Sequence, residues 1–262
     1  MRTLAARRRH PAAIILLLLV GLLITGGAYA VLAPKPAQAS LASADDIAEG
    51  TRLFQANCAT CHGMQAQGTA AGPSLVGVGA AAVDFQVMTG RMPMAAPGIQ
   101  VMRNNVQFSQ AQSDQMAAYV ASLGPGPGKP AAEWLDINAE GVDIARGGNI
   151  YRVNCAMCHN FAGSGGALTR GKEAPSLMGV EPIHIYEAML TGPQSMPVFS
   201  DANLSPEGKR DVIAFLKNYE QSNNQGGHNL GNLGPVADGY FLWLLAMPLM
   251  VGLAVWLGRK AA

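Results

Sequence analysis

Two uninterrupted apolar runs lie near the ends of the chain. The first covers residues 12–33 (AAIILLLLVGLLITGGAYAVLA) after three arginines at 7–9, and the second covers residues 239–258 (GYFLWLLAMPLMVGLAVWLG) before a basic pair at 259–260. Neither run contains a charged residue, and each reaches the length of about 20 residues that a helix needs to cross the hydrocarbon core of a membrane. The sequence therefore predicts one transmembrane helix at each end.

The first run has a second interpretation, as a signal peptide behind the basic leader at residues 1–11. The tripeptides AYA (28–30) and AQA (37–39) both resemble sites at which a signal peptide is cut. The run is longer than an ordinary signal core, which favours a retained anchor, but cleavage stays open. Because basic flanks stay in the cytoplasm, the segment between the runs is predicted to lie on the extracytoplasmic side of the cell membrane, with the chain multi-pass.

The polar segment between the runs contains an internal repeat. The pentapeptide CATCH at 58–62 returns as CAMCH at 155–159, which is 97 residues later. Further pairs follow in the same order: GPSLVGVG (72–79) with APSLMGVE (174–181), Met92-Pro93 with Met196-Pro197, and the helical patterns MAAYVASL (116–123) and VIAFLKNY (212–219). The repeat predicts two small helical domains, at about 45–124 and 140–220.

Two segments rich in glycine separate these parts. The stretch GPGPGKP (124–130) can form neither helix nor strand, so residues 125–139 are predicted to be a Gly/Pro hinge between the copies. A polar stretch at 221–238 is predicted to be a tether to the last transmembrane helix.

The charge distribution excludes nucleic acid as a partner. The chain has 18 Lys and Arg against 17 Asp and Glu, but six of the basic residues lie in the terminal flanks. Residues 35–238 hold 12 basic and 17 acidic residues, a net charge of −5, whereas nucleic-acid binding requires basic patches. The acidic residues are scattered, with no pair spaced for acid–base chemistry, and are predicted to lie on solvated faces.

The repeated pentapeptide is the signature of covalent haem attachment. Two thiols one helical turn apart can add to the two vinyl groups on one side of a porphyrin, and the adjacent histidine then supplies an axial ligand to the iron. The two copies use all four cysteines and predict two covalently bound haem c groups. The predicted cofactor-binding residues are Cys58, Cys61, His62, Cys155, Cys158 and His159.

Three other functions of paired cysteines are alternatives to haem attachment: a zinc site, a redox pair and a disulfide. Structural zinc sites bring their cysteine pairs close in sequence, and these pairs are 97 residues apart. A thioredoxin-like redox pair requires a βαβ setting, but here the flanks predict a helix before the motif and a glycine-rich loop after it. Simple disulfides would leave the histidines and the surrounding repeat unexplained.

The rest of each copy fits a haem pocket. Gly50 and Gly147 precede an aromatic residue on the helix that leads into the motif, and they would let the helix of Tyr119 or Phe215 approach closely, although an ordinary helix start is the alternative. Pro73 and Pro175 follow the motif. Each could offer its carbonyl to the histidine Nδ1 proton and so leave Nε2 for iron, or could simply be a turn proline.

The predicted axial ligands opposite the histidines are Met92 and Met196. Methionine more often fills a core than binds a metal, but both residues precede proline at the same position of the repeat. A thioether opposite histidine raises the reduction potential, which suits electron transfer. Met94 is the rival to Met92, and His184 is the rival to Met196; the metal ligands are thus predicted to be His62, Met92, His159 and Met196.

The whole layout resembles the dihaem cytochrome c subunit of the actinobacterial cytochrome bc1 complex (menaquinol–cytochrome c reductase). The resemblance covers nearly the whole chain, from the basic leader to NLGPVADGYFLWL at the entry to the last helix. It implies an all-α fold, with two tandem class I cytochrome c domains between an N-terminal and a C-terminal transmembrane helix. The sequence departs from the family pattern in no motif.

The resemblance also implies partners and a role. In that family a Rieske iron–sulfur protein passes electrons to this subunit beside a cytochrome b subunit, and the dihaem arm passes them to a cytochrome c oxidase within one supercomplex. The chain would then be a non-catalytic electron-relay subunit of the reductase. The alternatives are a membrane-anchored dihaem shuttle for another dehydrogenase or reductase, a dihaem peroxidase, and a structural metal-binding receptor.

Overall fold

The computed structural model describes residues 11–32, 42–96, 98–161, 163–221 and 239–260. It divides the chain into two units, Met1–Gln38 and Ala39–Ala262. The predicted leader, apart from residue 11, the predicted tether beyond residue 221 and the possible cleavage site at 37–39 lie outside the described residues.

The first unit contains one long apolar helix, α1 (Pro11–Leu32). Its proline stands at the first helical position, where the missing N–H has no intrahelical partner to lose. The window Ala12–Tyr29 has no buried residue. A helix of this length with apolar side chains on every face is long enough to span a membrane, in agreement with the predicted span at 12–33, of which residue 33 is not described.

Four helices and the segments that join them form what we call the first helical group: α2 (Ala44–Asn57), α3 (Ala59–His62), α4 (Gly79–Met88) and α5 (Gln110–Ser122). Serine begins both long helices. Ser43 exchanges hydrogen bonds with Asp46, and Ser109 does the same with Gln112. These capping boxes satisfy backbone N–H groups that a helix start leaves unpaired. Because Ser109 provides such a cap, α5 begins six residues before residue 116, where the predicted helical pattern begins.

Helices α2 and α5 cross in close contact at Gly50. A Cβ atom added there would lie 1.9 Å from the backbone oxygen of Gln115. One turn further along α2, the rings of Phe54 and Tyr119 pack at a centroid distance of 5.2 Å. The predicted close approach of these two helices at a glycine is confirmed.

Four further helices form the second helical group: α6 (Ile144–Asn154), α7 (Ala156–His159), α8 (Pro182–Thr191) and α9 (Pro206–Gln221). The same crossing recurs between α6 and α9, where a Cβ atom on Gly147 would lie 2.0 Å from the backbone oxygen of Asp211. The rings of Tyr151 and Phe215 pack at 5.4 Å. The sequence repeat therefore corresponds to a repeated helix crossing.

A small hairpin in the second group departs from the predicted all-α fold. Strands β1 (Gly166–Ala167) and β2 (Glu173–Ala174) pair antiparallel, with Gly166 opposite Ala174. The hairpin lies between His159 and Pro175, which are 16 residues apart, whereas His62 and Pro73 are 11 apart. The five additional residues of the second copy thus form a local hairpin and leave the rest of the repeat in place.

Residues 125–139, the predicted hinge, pack against both helical groups. Pro127 lies against Gly79 at the start of α4, and its carbonyl accepts a hydrogen bond from the Ala81 N–H at 3.1 Å. Further on, a single 3₁₀ turn (Ala132–Trp134) places the Trp134 ring 5.5 Å from the Arg210 guanidinium on α9. Residues 124–131 form neither helix nor strand, as predicted.

The two groups meet where α4 packs against α8. Two acidic side chains, Asp84 on α4 and Glu187 on α8, are fully buried there, and so is Asp211 on α9. The prediction that the acidic residues lie on solvated faces is wrong for these three.

The chain ends in a second apolar helix, which runs from Gly239 to Lys260 and has no buried residue in the described structure. It contains a π-helical turn (Leu242–Ala246) and then α10 (Met247–Lys260). The π turn ends two residues before Pro248, whose missing N–H disturbs the regular hydrogen-bond ladder. This helix, too, is long and apolar enough to cross a membrane, in agreement with the predicted span at 239–258.

Candidate functional site

Each cysteine motif forms a short helix directly after a long one. Cys58 ends α2 and precedes α3, and Cys155 ends α6 and precedes α7. The His62 N–H donates to the Cys58 carbonyl at 3.0 Å, and the His159 N–H donates to the Cys155 carbonyl at 2.9 Å. One helical turn therefore separates the first cysteine from the histidine in both copies.

The two histidines are held by the hydrogen bonds that the sequence predicted. His62 Nδ1 lies 2.8 Å from the Pro73 carbonyl oxygen, and His159 Nδ1 lies 2.9 Å from the Pro175 carbonyl oxygen. A carbonyl can only accept, so Nδ1 carries the proton and Nε2 keeps the lone pair that a metal requires. The expected hydrogen bonds between the two histidines and these proline carbonyls are confirmed.

Burial keeps the site neutral. His159 is 8% exposed, and burial lowers its pKa, partly opposed by the hydrogen bond to Pro175. A neutral imidazole is the form that binds iron.

The first cysteine of each motif is shielded from solvent. All four thiols are free. Burial raises the pKa of Cys58 and that of Cys155 to about 11, and the neighbouring cysteine of each motif adds to the effect. Reactive disulfide-exchange cysteines have a lowered pKa instead, so the surroundings of Cys58 and Cys155 differ from those of a thioredoxin-like pair.

The second set of predicted residues lines one cavity. This cavity has a volume of about 470 Å³ and is lined by Cys155, Cys158, His159 and Met196. Aliphatic side chains complete much of its wall: Leu168, Leu177, Val180, Ile185, Val212 and Leu216. Its size lies within the range of small-molecule and cofactor sites.

The donor set of this cavity fits haem. Two thiols, an imidazole with a free Nε2, a thioether and an apolar wall are the groups that hold a covalently attached porphyrin. His184, the rival ligand to Met196, also lines the cavity, but its Nδ1 faces Glu187 Oε2 at 3.3 Å.

The first set of predicted residues is divided between two segments. Cys58, Cys61 and His62 lie together around α3, whereas Met92 lies on the segment that follows α4 and outside the cavity of His159. Met92 is half-buried and its rival Met94 is 37% exposed.

Sequence reasoning missed a set of polar residues beside the second cavity. Gln100, Arg91 and Arg103 of the first helical group line it together with residues of the second group. Their signal in the sequence is weak, because nothing in their spacing shows which distant element they face.

Comparison with known proteins agrees with the interpretation of these two sites as haem sites. The protein family described as "Cytochrome C oxidase, cbb3-type, subunit III" matches residues 45–120 and 142–216. The cytochrome bc1 complex cytochrome c subunit of Corynebacterium efficiens is 46% identical over 241 residues, which are 86% of this chain and 81% of that protein. The subunit of the same name from Mycobacterium leprae is 44% identical over 249 residues, 92% of this chain and 86% of that protein. The one from Corynebacterium diphtheriae is 44% identical over 273 residues, 98% of this chain and 97% of that protein.

A helical chain with histidine-adjacent cysteine pairs, proline-oriented histidines and these family matches is a cytochrome c, a class of protein that carries covalently attached haem. More narrowly, the chain belongs to the family of cytochrome c subunits of the cytochrome bc1 complex. Its two apolar terminal helices are consistent with a membrane-anchored member of that family.

Proposed function

We propose that this chain is the electron-relay subunit of a quinol–cytochrome c reductase, the cytochrome bc1 complex. It would accept electrons from a Rieske iron–sulfur protein and deliver them to a terminal oxidase. The observation that carries the proposal is the repeated site, in which a cysteine pair precedes a histidine whose Nδ1 is bound by a proline carbonyl. The names of the relatives support the assignment to this complex.

The site residues would serve two tandem class I cytochrome c domains, at about residues 45–124 and 140–220, each with one haem c. Cys58 and Cys61 would hold the first haem, and Cys155 and Cys158 the second. When bound, haem iron supplies reversible one-electron transfer. The iron of each haem would be held by one histidine and one methionine, His62 with Met92 and His159 with Met196, and two protein ligands would close the iron to small molecules.

The terminal helices would hold both domains on the extracytoplasmic side of the cell membrane. Basic residues flank each apolar run on the side away from the haem domains, and basic flanks stay in the cytoplasm. In this arrangement the chain is multi-pass and the first helix is a retained anchor. Anchoring replaces a diffusing carrier by a high effective concentration beside the cytochrome b subunit, the Rieske subunit and an oxidase in the same supercomplex.

Purification of the intact complex tests this function. We expect the C-terminally tagged full chain, solubilised from its own membranes, to bring down a cytochrome b and a Rieske protein and to contain two haem c groups per chain in a pyridine haemochrome assay. Replacing Cys155 and Cys158 together by alanine should leave one haem. Met157→Ala is the matched control, since Met157 lies between these cysteines, is 90% exposed, and should leave the count unchanged.

The outcomes separate the competing functions. A wild-type chain with fewer than two covalent haems would contradict the dihaem interpretation. Two haems without a cytochrome b or a Rieske protein would contradict the assignment to the bc1 complex and would favour a shuttle for another enzyme.

The ligand of the first iron can be tested separately. We expect Met92→Leu to open one coordination position, so that the reduced protein binds carbon monoxide at one haem, as seen in the Soret difference spectrum. Met94→Leu makes the same chemical change two residues away and is the control, so its reduced form should bind no carbon monoxide. If Met94→Leu opens the iron and Met92→Leu does not, the assignment of Met92 is wrong.

A further inference from the structure

The cavity that contains His159 is not closed by the second helical group alone. Six of its lining residues come from the first group, on α4 and the segment that follows it: Phe85, Met88, Thr89, Arg91, Gln100 and Arg103. The same segment carries Met92. One stretch of chain thus borders the second haem cavity and also holds the ligand proposed for the first haem.

The positive charge of Arg91 is buried at this border. Its side chain is only 8% exposed, and its guanidinium lies 4.7 Å from the centre of the Phe85 ring. The backbone N–H groups of Arg91 and Met92 both donate to the Gln86 carbonyl at 2.9 Å, which ties the position to the end of α4.

This arginine has no anionic partner among the described residues. Seven ion pairs are found in the described part of the chain, and neither Arg91 nor Arg103 takes part in any of them. Glu173 and Glu181 also line the cavity but lie beyond ion-pair distance of both arginines. Buried charges in proteins are nearly always paired, so the buried Arg91, with the exposed Arg103 lining the same cavity, indicates an anion that the polypeptide does not supply.

Haem c contains the anion that is needed. Its ring is apolar and matches the aliphatic wall, and its only charged substituents are two propionate carboxylates. Arginine binds carboxylates through parallel N–H···O bonds and tolerates a partly dry setting better than lysine does.

We propose that Arg91 and Arg103 of the first helical group bind the propionates of the haem attached to Cys155 and Cys158. This inference rests on the proposed function, because it requires a haem at the second site. The second haem would then be held by both groups, covalently by one and through its propionates by the other. Because Arg91 directly precedes Met92, the propionate contact of the second haem and the proposed ligand of the first iron would lie on neighbouring residues.

The reduction potential of the second haem tests the proposal. Unpaired propionate charge near the iron favours the ferric form, so removing an arginine should lower the potential of that haem. We expect Arg91→Gln and Arg103→Gln in the full-length holoprotein each to lower the reduction potential of the second haem. At the wild-type midpoint potential the ratio of ferrous to ferric second haem should fall about tenfold, and for a one-electron couple this fall equals a shift of about 59 mV. Spectroelectrochemical titration measures this ratio. The second haem is identified as the component whose potential falls in Met196→His, where an imidazole replaces the thioether.

Two controls make the result specific. Arg91→Lys keeps the charge and should retain most of the potential, and Arg170→Gln removes an exposed charge outside the cavity and should change nothing. If Arg91→Gln fails to fold, Arg103→Gln tests the proposal in its place, because Arg103 lies farther along the chain from Met92.

The haem count distinguishes failure of this proposal from failure of the proposed function. If both haems are attached and the second potential is unchanged in both Gln variants, the arginines do not bind its propionates. If only the first haem shifts, the arginines act on the Met92 side, and the proposal is overturned as well. Absence of haem at Cys155 and Cys158 in the wild type would instead refute the proposed function itself.

Discussion

Gly147→Ala is expected to destabilise the second helical group severely. The new Cβ atom would lie 2.0 Å from the Asp211 backbone oxygen and 2.4 Å from its carbonyl carbon, so that no side-chain rotation can relieve the clash. Helices α6 and α9 must separate, and the packing of Tyr151 on Phe215 must loosen with them. Overpacking of this kind costs about 3 kcal/mol or more, which for a domain of this size lowers the melting temperature by roughly 10 °C or more.

Thermal melting followed by circular dichroism at 222 nm measures this loss in the detergent-solubilised full chain. Gly208→Ala is the matched control, because Gly208 also lies in α9 but its added Cβ would meet side chains and no backbone atom: Leu204 Cδ1, the end of a flexible side chain, at 2.7 Å, and Ile150 Cδ1 at 3.5 Å. Alanine in a helix is favoured over glycine by about 0.5–1 kcal/mol, so this control should melt at or slightly above the wild-type temperature. If the melting temperature of Gly147→Ala stays within a few degrees of the wild type, the helices are not held at that distance.

The glycine crossings were predictable because the repeat identified them. A single glycine before an aromatic residue would have indicated little, but Gly50 and Gly147 stand at the same offset before a cysteine motif and face aromatic residues at matching positions. The same reasoning located Pro73 and Pro175, whose carbonyls accept from the histidines. Features that both copies share reflect a common local geometry, which the sequence records twice.

Features that belong to one copy or to the contact between copies could not be predicted in this way. The hairpin at 166–174 occupies an insertion in the second copy, and glycine-rich residues there give no alternating pattern. Asp84 was predicted to be solvated because its sequence neighbours do not show its partners. Its Oδ1 accepts from Gln110 Nε2 at 2.7 Å and from Ser113 Oγ at 2.9 Å, and both donors lie on α5. Burial of a charged residue depends on such distant donors, and no periodicity in the sequence reveals them.

The second prediction with a large expected effect on stability concerns Glu187, which faces Asp84 where α4 packs against α8. Both side chains are fully buried, and Glu187 Oε1 and Asp84 Oδ2 have no hydrogen-bond partner among the described residues. Burial raises the pKa of Glu187 to about 9, and the Asp84 carboxylate adds to the rise while the Lys129 ammonium, 3.2 Å from Asp84 Oδ1, opposes it. His184 lies on the other side with its Nδ1 3.3 Å from Glu187 Oε2, and burial lowers the pKa of His184. With its pKa raised to about 9, Glu187 keeps its proton at neutral pH, close to the Asp84 carboxyl group.

This proton makes the contact sensitive to pH in a defined direction. In the unfolded chain Glu187 loses its proton above about pH 4.5, whereas in the folded chain it keeps the proton until about pH 9. The folded state thus binds more protons throughout this window, and the stability contributed by Glu187 is complete below pH 4.5 and falls as the pH rises. The upper limit of the fall is about 1.4 kcal/mol per pH unit.

Glu187→Gln keeps the shape of the protonated acid and removes the titration. We expect this variant to be more stable than the wild type at pH 8, by roughly 2–3 kcal/mol, and nearly equal to it at pH 5. Glu133→Gln, at an exposed position, should follow the wild-type profile at both pH values. Urea unfolding at pH 5, 6.5 and 8 measures the difference, and parallel profiles for Glu187→Gln and the wild type would contradict the raised pKa of Glu187. If wild-type stability instead rises with pH and is lost on adding a chelator, a divalent cation takes the place of the proton, since ligand atoms of Asp84, His184 and Glu187 lie within 4.8 Å of one another.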